Sequence, residues 1–262
     1  IWTSLWGNRQ LIRKMAHREI VGRYQGSVIG MLWAFLNPIL MLAVYTFVFS
    51  VVFQARWGGE QESKGQFAIV LFAGLIVHGL FAEVLNRAPQ LVLSNANYVK
   101  KVVFPLEVLA WVNVSVAAVG LLVSMGLLLL LSVLSMGNVS WSVIALPLVW
   151  LPLLPLCLGL SWLFSGLGTY VRDVGQVLGM AVGALMFLSP IFFPVEALPE
   201  SVRGWVLLNP LAWVMTGTRD VLLAGRWPDW GTWALLLAAC SLLALAGAVF
   251  FRRVRVGFAD VL

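Results

Sequence analysis

Few side chains in the long apolar stretches of this sequence could carry out acid–base chemistry. Glu83 precedes Arg87 by four residues, the favourable order for an ion pair on one helical face. We interpret this pair as a structural or hinge contact, with a role in a gate as the alternative. His78 is expected to form a hydrogen bond with a neighbouring helix, because a proton relay would need ionisable partners that the sequence does not supply. Glu107 follows Pro105 at the beginning of another apolar stretch, where a carboxylate favours the positive end of a helix.

Sequence motifs for catalysis or nucleotide binding are absent. The chain contains no G-x-x-x-x-G-K-[ST], no H-E-x-x-H and no G-x-S-x-G. Its two histidines, His17 and His78, are too far apart in the expected topology to share a metal ion. Cys157 and Cys240 lie within apolar stretches, where we expect them to pack as small hydrophobic residues. The sequence therefore predicts no catalytic residue, no metal site and no cofactor bound by this chain.

Aromatic side chains are the exception to this scarcity. The chain has 13 Trp and 15 Phe, more than two interfacial belts of a membrane protein require. Tyr45, Phe49 and Phe53 follow one another at intervals of four residues, and Phe187 and Phe192 lie near the end of another apolar stretch. These rings could face lipid or pack between helices. Alternatively, they form flat apolar surfaces along which sugars slide, because an aromatic face contacts C–H groups without a fixed hydrogen-bonding partner.

The elements that would position these residues are membrane-spanning helices. Of the 262 residues, 61% are hydrophobic and 11% are charged, and the mean hydropathy is +0.95. Apolar stretches long enough to cross a hydrocarbon core of roughly 30 Å recur along the chain. They predict one transmembrane domain, 1–262, with six spans: 36–53, 67–85, 106–134, 141–170, 177–194 and 230–251. Pro147, Pro152 and Pro155 predict a kink in the fourth span.

The distribution of basic residues predicts the orientation of the spans. With the N-terminus inside, only five of the 17 Lys and Arg residues fall on outer segments, namely Arg56, Lys64, Arg203, Arg219 and Arg226. Positive charge is retained in the cytoplasm, so both termini are predicted to be cytoplasmic. The net charge of +6 is then explained by inner loops near anionic headgroups, and we expect no nucleic-acid partner.

Residues 1–22 predict an amphipathic helix in the cytoplasmic interface of the membrane. At the helical period, one face is formed by Trp2, Leu5, Ile12, Ala16 and Ile20, and polar residues including Lys14 and Arg18 fall opposite. A simple surface anchor is the alternative. The charges of this segment argue against a signal peptide, and because the chain begins with Ile, we expect preceding residues to have been removed or left out.

The outer segment 195–229 predicts short re-entrant helices. Its apolar runs are too short to span the membrane and too apolar for an exposed loop, and they are separated at Asn209 and Pro210. Helices that dip into the outer leaflet would satisfy their backbone groups against the bundle. The predicted fold class is therefore an all-α integral membrane protein with six transmembrane helices, an N-terminal amphipathic interface helix, and short re-entrant outer helices between spans five and six.

Four segments together resemble one transporter family. They read RYQGSVIGMLWAFLNP (23–38), VVFPLEVL (102–109), YVRDVGQVLGMAVGALMFLSPIFFP (170–194) and LNPLAWVMTGTRDVLLAG (208–225). The chain is similar, in order and over nearly its whole length, to the permease subunit of the ABC-type polysaccharide exporters, which serve O-antigen, capsule or wall teichoic acid. The first segment is more similar to the O-antigen and teichoic-acid branch than to the capsule branch.

This resemblance implies partners and a location. A homodimer of permeases would bind two copies of a separate ATPase subunit, which uses ATP and Mg, in the bacterial inner membrane. The substrate would be a polyprenyl-linked glycan, with membrane lipid around the dimer. The resemblance also suggests residues that contact the ATPase: Arg9, Arg13, Asn97, Lys100, Arg172 and Asp173.

A substrate path follows from the family mechanism together with the aromatic residues. We expect a continuous channel between the two copies, lined by spans one and five, with sliding surfaces at Tyr45, Phe49, Phe187 and Phe192. Small residues at the inner entrance would let helices approach closely, namely Gly26, Ser27 and Gly30. Arg18 and Arg23 could bind the lipid pyrophosphate, although cytoplasmic arginines near headgroups are common without such a role.

Two other functions stay open from the sequence. One is an ABC permease for drugs or small lipids. The other is a membrane-embedded enzyme acting on a glycan-lipid, which would need clustered acidic residues at one membrane face, and the sequence lacks such a cluster.

Overall fold

The protein is described by a computed structural model that covers residues 2–25, 28–52, 64–99, 104–137 and 140–262. Within these ranges every regular element is helical. The α-helices are α1 Trp2–Tyr24, α2 Trp33–Thr46, α3 Lys64–Arg87, α4 Ala96–Val99, α5 Val108–Met136, α6 Leu146–Trp150, α7 Leu153–Tyr170, α8 Val174–Leu188, α9 Glu200–Leu207, α10 Pro210–Leu222, α11 Trp230–Val254 and α12 Phe258–Val261. The predicted all-helical membrane fold is confirmed.

Five helical segments of the described chain are long and apolar enough to cross a membrane. They are Trp33–Val52, Gly65–Gln90, Val108–Ser135, Trp141–Tyr170 and Trp230–Val261. The remaining predicted span corresponds to α8, whose 15 residues measure about 22 Å at 1.5 Å per residue. This helix alone is shorter than the hydrocarbon core, so the count of six crossings stays a prediction.

Helix α8 ends six residues before the predicted boundary at 194. Its last helical residue is Leu188, and Ser189 is extended, with φ −93° and ψ 152°. Pro190 explains this end, because its ring lacks an N–H group and disfavours the helical conformation of the residue before it. Phe192 therefore lies in non-helical chain just beyond α8.

The fourth predicted span is interrupted where the prolines predict a kink. A 3-10 turn over Trp141–Ala145 leads into α6, and a break at Leu151 and Pro152 separates α6 from α7. Pro147 causes no break because it lies in the first turn of α6, where a missing N–H group costs no helical hydrogen bond.

Helix α2 continues as a π-helical turn over Phe47–Val52, a widening that the sequence did not predict. Such turns shift the register of the side chains that follow them. Only 6% of the most apolar window of Trp33–Val52 is buried within the chain, compared with 72% for Gly65–Gln90 in α3. Helix α3 is thus the centre of the bundle, and α2 lies at its edge.

The closest helix pair is α7 with α11. A Cβ atom added at Gly159 would lie 2.7 Å from Ala244 Cα, and one added at Gly247 would clash with the backbone of Gly159. Small residues allow two membrane helices to meet with almost no side chain between them. Spans four and six therefore form one tightly joined pair.

Part of the predicted apolar face of helix α1 is buried, and the helix is interrupted at Asn8, where φ is −112° and ψ is 16°. Ile12 and Ala16 are buried, whereas Gln10, Lys14 and His17 are exposed. The buried face packs on α5, so it is covered by protein. The position of α1 in the membrane interface stays a prediction.

Two short helices, α9 and α10, join α8 to α11. They are separated at Leu208 and Asn209, one residue before the predicted break at Asn209 and Pro210, because Pro210 begins α10. Asn209 caps α10, since its side-chain oxygen accepts a hydrogen bond from the N–H of Leu211 at 3.0 Å. Helix α10 is buried against the bundle over most of its length. Its depth in the membrane stays a prediction.

Candidate functional site

The four aromatic residues expected to line a path meet in one cluster. The ring of Phe192 stacks on Phe49, with 4.2 Å between centroids, and lies 5.6 Å from Phe187 and 5.8 Å from Tyr45. The Tyr45 hydroxyl also contacts the Met186 sulfur at 3.8 Å. We call these four rings, Tyr45, Phe49, Phe187 and Phe192, the aromatic cluster.

Three separate elements build the aromatic cluster. Tyr45 comes from α2, Phe49 from the π-helical turn and Phe187 from the last turn of α8. Phe192 lies at the centre because the chain leaves helical geometry at Ser189. The ring of Phe187 is 64% exposed and the other three are half-buried, so one side of the cluster offers an uncovered apolar surface.

An apolar cavity of about 380 Å³ extends from Tyr45 of the aromatic cluster toward Arg23 and Glu83. Residues of α2, α3 and α5 line it, with Tyr45 among its aromatic residues and the charged pair Arg23 and Glu83 among its polar ones. His78, also in its lining, makes a hydrogen bond of 3.1 Å between Nε2 and the carbonyl of Val182 in α8. This bond confirms the predicted contact of His78 with a neighbouring helix.

A chain of charged groups lies at the end of this cavity that contains Arg23 and Glu83. Arg23 donates to Glu83 Oε1 at 2.5 Å, Glu83 lies 4.0 Å from Arg87, and Arg87 forms an ion pair with Glu19. The contact of Glu83 with Arg87 agrees with the sequence prediction. The two residues of α1 could not be found from the sequence, because Arg23 is 60 positions from Glu83. We call Glu19, Arg23, Glu83 and Arg87 the charged network; it joins α1 to α3.

Arg18 and Arg23, predicted to bind a lipid phosphate, both have protein partners. Arg23 pairs with Glu83 as described above, and Arg18 donates to the Tyr98 hydroxyl at 3.3 Å. Tyr98 in turn stacks on Phe104 at 4.4 Å. A phosphate role for either arginine stays a prediction.

Of the predicted entrance glycines, Gly26 and Ser27 lie outside the described residues. At Gly30, a Cβ atom would have no described atom within 4 Å, and φ is +56°. This left-handed backbone conformation favours glycine, and the role of Gly30 in close helix approach stays a prediction.

The predicted ATPase contacts that the structure describes are exposed: Arg9, Arg13, Asn97, Arg172 and Asp173. Lys100 lies outside the described residues. The segments that carry them adjoin one another, because Arg18 of α1 reaches Tyr98 and the turn at Pro89 touches the ends of α7 and α8. A Cβ atom at Gly168 would lie 2.5 Å from the Pro89 carbonyl oxygen.

The sequence indicated that the Glu107 carboxylate interacts with the positive end of a helix, but the structure gives it other partners. It precedes α5 without capping it, and its carboxylate instead pairs with Arg255 and lies 3.8 Å from Arg252. This contact ties the beginning of α5 to the end of α11.

The described part of the chain offers contact surfaces. Among the residues with described positions, no group of three or more His, Cys, Asp or Glu side chains could hold a metal ion. The cavity is lined mainly by apolar groups, and the aromatic cluster exposes the ring of Phe187. Such a surface suits a molecule that moves past it better than one that is bound tightly.

Comparison with known proteins gives consistent matches. The family model described as ABC-2 type transporter matches residues 10–223. The O-antigen export system permease protein RfbA of Myxococcus xanthus is 28% identical over 98% of this chain and 97% of its own length. A protein of the same name from Klebsiella pneumoniae is 25% identical over 96% and 95%. The polysialic acid transport protein KpsM of Escherichia coli is 26% identical over 79% of both chains.

Proposed function

Since the chain belongs to the ABC-2 type transporter family, we propose that it is the permease subunit of an ATP-driven exporter of a lipid-linked polysaccharide. Similar proteins from three bacteria are named as permeases or transport proteins for O-antigen or polysialic acid. The observation that carries the proposal is the convergence of the aromatic cluster on Phe192. O-antigen is the proposed glycan class, because a relative named for it is 28% identical over 98% of the chain, whereas the relatives named for polysialic acid or capsule polysaccharide are 24–26% identical.

The physical need for such a surface follows from the substrate. A polysaccharide carries many hydroxyl groups, and each one buried in hydrocarbon without a partner costs several kcal/mol, on the order of 2–7. The exporter therefore has to supply a continuous path. Ring faces along it contact the C–H side of each sugar and let the next sugar take its place at little cost.

The proposed assembly is a homodimer with two copies of an ATPase subunit that uses ATP and Mg. It lies in the bacterial inner membrane, with both termini in the cytoplasm and with α9 and α10 re-entrant from the outer side. The exposed Arg9, Arg13, Asn97, Arg172 and Asp173 support an ATPase-binding face at the cytoplasmic end. The cavity between Arg23 and Tyr45 supports a route from that end toward the aromatic cluster.

The test separates sliding from packing. Phe187→Ala removes a ring that is 64% exposed, so little packed volume is lost and the melting temperature of the complex should stay unchanged. Surface glycan should nevertheless fall in cells that contain equal amounts of the complex. The matched control is Trp141→Ala, an exposed aromatic residue (84%) at the end of a different helix, which should alter neither quantity.

The double change Tyr45→Ala with Phe49→Ala extends the test to the half-buried rings. Each ring packs on Phe192. Removing a fully buried aromatic side chain costs about 3–5 kcal/mol of folding free energy, so for these half-buried rings we expect part of that loss, seen as a lower melting temperature. Normal export in the Phe187→Ala cells would contradict the sliding role. Normal surface glycan in cells that lack the whole protein would contradict the function itself.

A further inference from the structure

Arg219 is a buried arginine of α10, with 7% of its surface exposed. Its guanidinium group donates three hydrogen bonds to main-chain carbonyls. Nε reaches Val70 of α3 at 3.1 Å, Nη1 reaches Pro190 at 2.6 Å and Nη2 reaches Ile191 at 3.2 Å. One planar group thus joins α10, α3 and the non-helical chain after α8.

Two of these carbonyls need such a partner. Pro190 and Ile191 follow the end of α8 at Leu188, and a buried carbonyl outside a helix has to find a donor elsewhere. The fork of an arginine can serve both at once, whereas a lysine ammonium cannot match this planar geometry. The hydrogen bonds from Arg219 therefore fix the backbone just after Leu188, where the main-chain hydrogen bonds of α8 end.

Helix α3 leaves room for the guanidinium group. A Cβ atom at Gly74 would lie 2.7 Å from Arg219 Nη2 and 3.3 Å from Ile191 Cα. Any larger residue at this position would displace one of them. Gly74 leaves space for the guanidinium group, and Arg219 binds the carbonyls of Pro190 and Ile191, so the two residues together hold this segment in place.

The position of α10 itself does not depend on Arg219 alone. Trp150 donates to the Thr218 hydroxyl at 2.8 Å, and Ser142 donates to the Val221 carbonyl at 2.6 Å. Asn209 donates to the Ser189 hydroxyl at 2.9 Å. With α10 held in this way, the bonds to Pro190 and Ile191 act mainly on the chain after α8.

The residue that follows this anchored chain is Phe192, the centre of the aromatic cluster. We propose that Arg219 is the positioning residue of the export path: by holding the carbonyls of Pro190 and Ile191, it sets the ring of Phe192 against Phe49 and Phe187. This inference rests on the proposed function for its effect on export. Its structural half, the control of the Phe192 ring by Arg219, can be measured without a substrate.

The experiment uses the complex of the full chain with its ATPase subunit. Arg219→Gln removes the fork and the charge, and Arg226→Gln is the matched control, because Arg226 is an exposed arginine that pairs with Asp220 at 2.9 Å. 4-Fluorophenylalanine at position 192 reports the environment of the ring by fluorine NMR, and the same probe at the fully buried Phe258 reports general damage. Arg219→Gln should shift or broaden the signal at position 192 and leave that at 258 unchanged.

Export is measured in the same variants. Arg219→Gln should lower it about tenfold, the factor expected when one charged hydrogen bond no longer holds the productive position. If Arg219 acts through Phe192, then Phe192→Ala should lower export too, and adding Arg219→Gln to Phe192→Ala should cause no further loss. Arg226→Gln should export normally.

A second variant covers the case in which Arg219→Gln fails to assemble. Gly74→Ala keeps the charge of Arg219 but places a methyl group against its Nη2 atom, so the signal at position 192 and export should change in the same direction. An unchanged signal in both variants would overturn the inference, and so would a further loss of export on top of Phe192→Ala. If the wild-type complex and Arg226→Gln export no glycan at all, the proposed function fails, and the NMR result still decides the role of Arg219.

Discussion

At the scale of single residues, Glu83 is the member of the charged network that both arginines share. It accepts from Arg23 and lies 4.0 Å from Arg87, and these side chains are about one-quarter to one-third exposed (26–37%). Solvent screening at such sites limits an ion pair to about 0.2–1 kcal/mol. Glu83→Gln should therefore lower the melting temperature of the complex only slightly at low salt.

The salt dependence identifies this effect as electrostatic. At about 1 M salt the screening length falls to about 3 Å, so wild type and Glu83→Gln should melt at nearly the same temperature. Asp260→Asn, an exposed acidic residue near the C-terminus, is the control and should show no difference at either salt concentration. A large, salt-independent loss of melting temperature would show that Glu83 acts through packing.

Residue contacts were predictable only where they are local in sequence. The spacing of Glu83 and Arg87 identifies one helical face, and the spacing of Tyr45 and Phe49 does the same. Contacts between distant residues have no such period: Arg255 meets Glu107 across 148 positions. The family resemblance led us to expect that spans one and five line the same path, but the contact of their aromatic rings with Phe192 was not predicted. Composition and spacing alone left lipid-facing aromatics as an alternative.

At the scale of elements, prolines made the interruptions predictable. The break at Pro152 was expected, and the end of α8 before Pro190 obeys the same rule. The π-helical turn Phe47–Val52 was not predictable, because no residue type in FVFSVV distinguishes it from an α-helix. The packing of α1 on α5 was also missed, because an apolar helical face does not show whether lipid or protein will cover it.

The contact of α7 with α11 gives the prediction for this scale. Gly159→Ala would place a Cβ atom 2.7 Å from Ala244 Cα, a backbone atom that cannot turn aside. The helices must separate, at a cost of about 1–3 kcal/mol, and the complex should melt at a lower temperature. Gly126→Ala is the control, because nothing lies within 4 Å of a Cβ atom there and alanine favours a helix over glycine by about 1 kcal/mol. Equal melting of the two variants would contradict the close contact.

At the scale of the whole molecule, the orientation of the chain can be tested from outside the cell. Single cysteines at Glu62→Cys and Glu200→Cys should react with a thiol reagent that cannot cross membranes, whereas Asn97→Cys and Asp260→Cys should react only after permeabilisation. Because Cys157 and Cys240 are buried, they should give little background. Labelling of Asn97→Cys in sealed cells would overturn the six-span topology.

The second prediction at this scale is that ATP is bound and hydrolysed by a separate subunit and not by this chain. The purified chain should neither bind nor hydrolyse ATP, because it has no phosphate-binding loop. A separate ATPase subunit should co-purify with it. Arg13→Glu, at an exposed site on α1, should reduce the amount that co-purifies, and Arg226→Glu at the opposite end should not. Saturable ATP binding by the isolated chain would contradict this division.

The glycine-mediated contact of α7 with α11 also determines where the molecule is stiff. Two backbones that touch without intervening side chains have no layer that can be compressed or sheared, so this pair should move as one body. Helix α2 is then the element that can move most easily, because only 6% of its most apolar window is buried within the chain. A path that must admit sugars of different bulk would therefore change its width by displacement of α2, with α7 and α11 serving as the fixed frame.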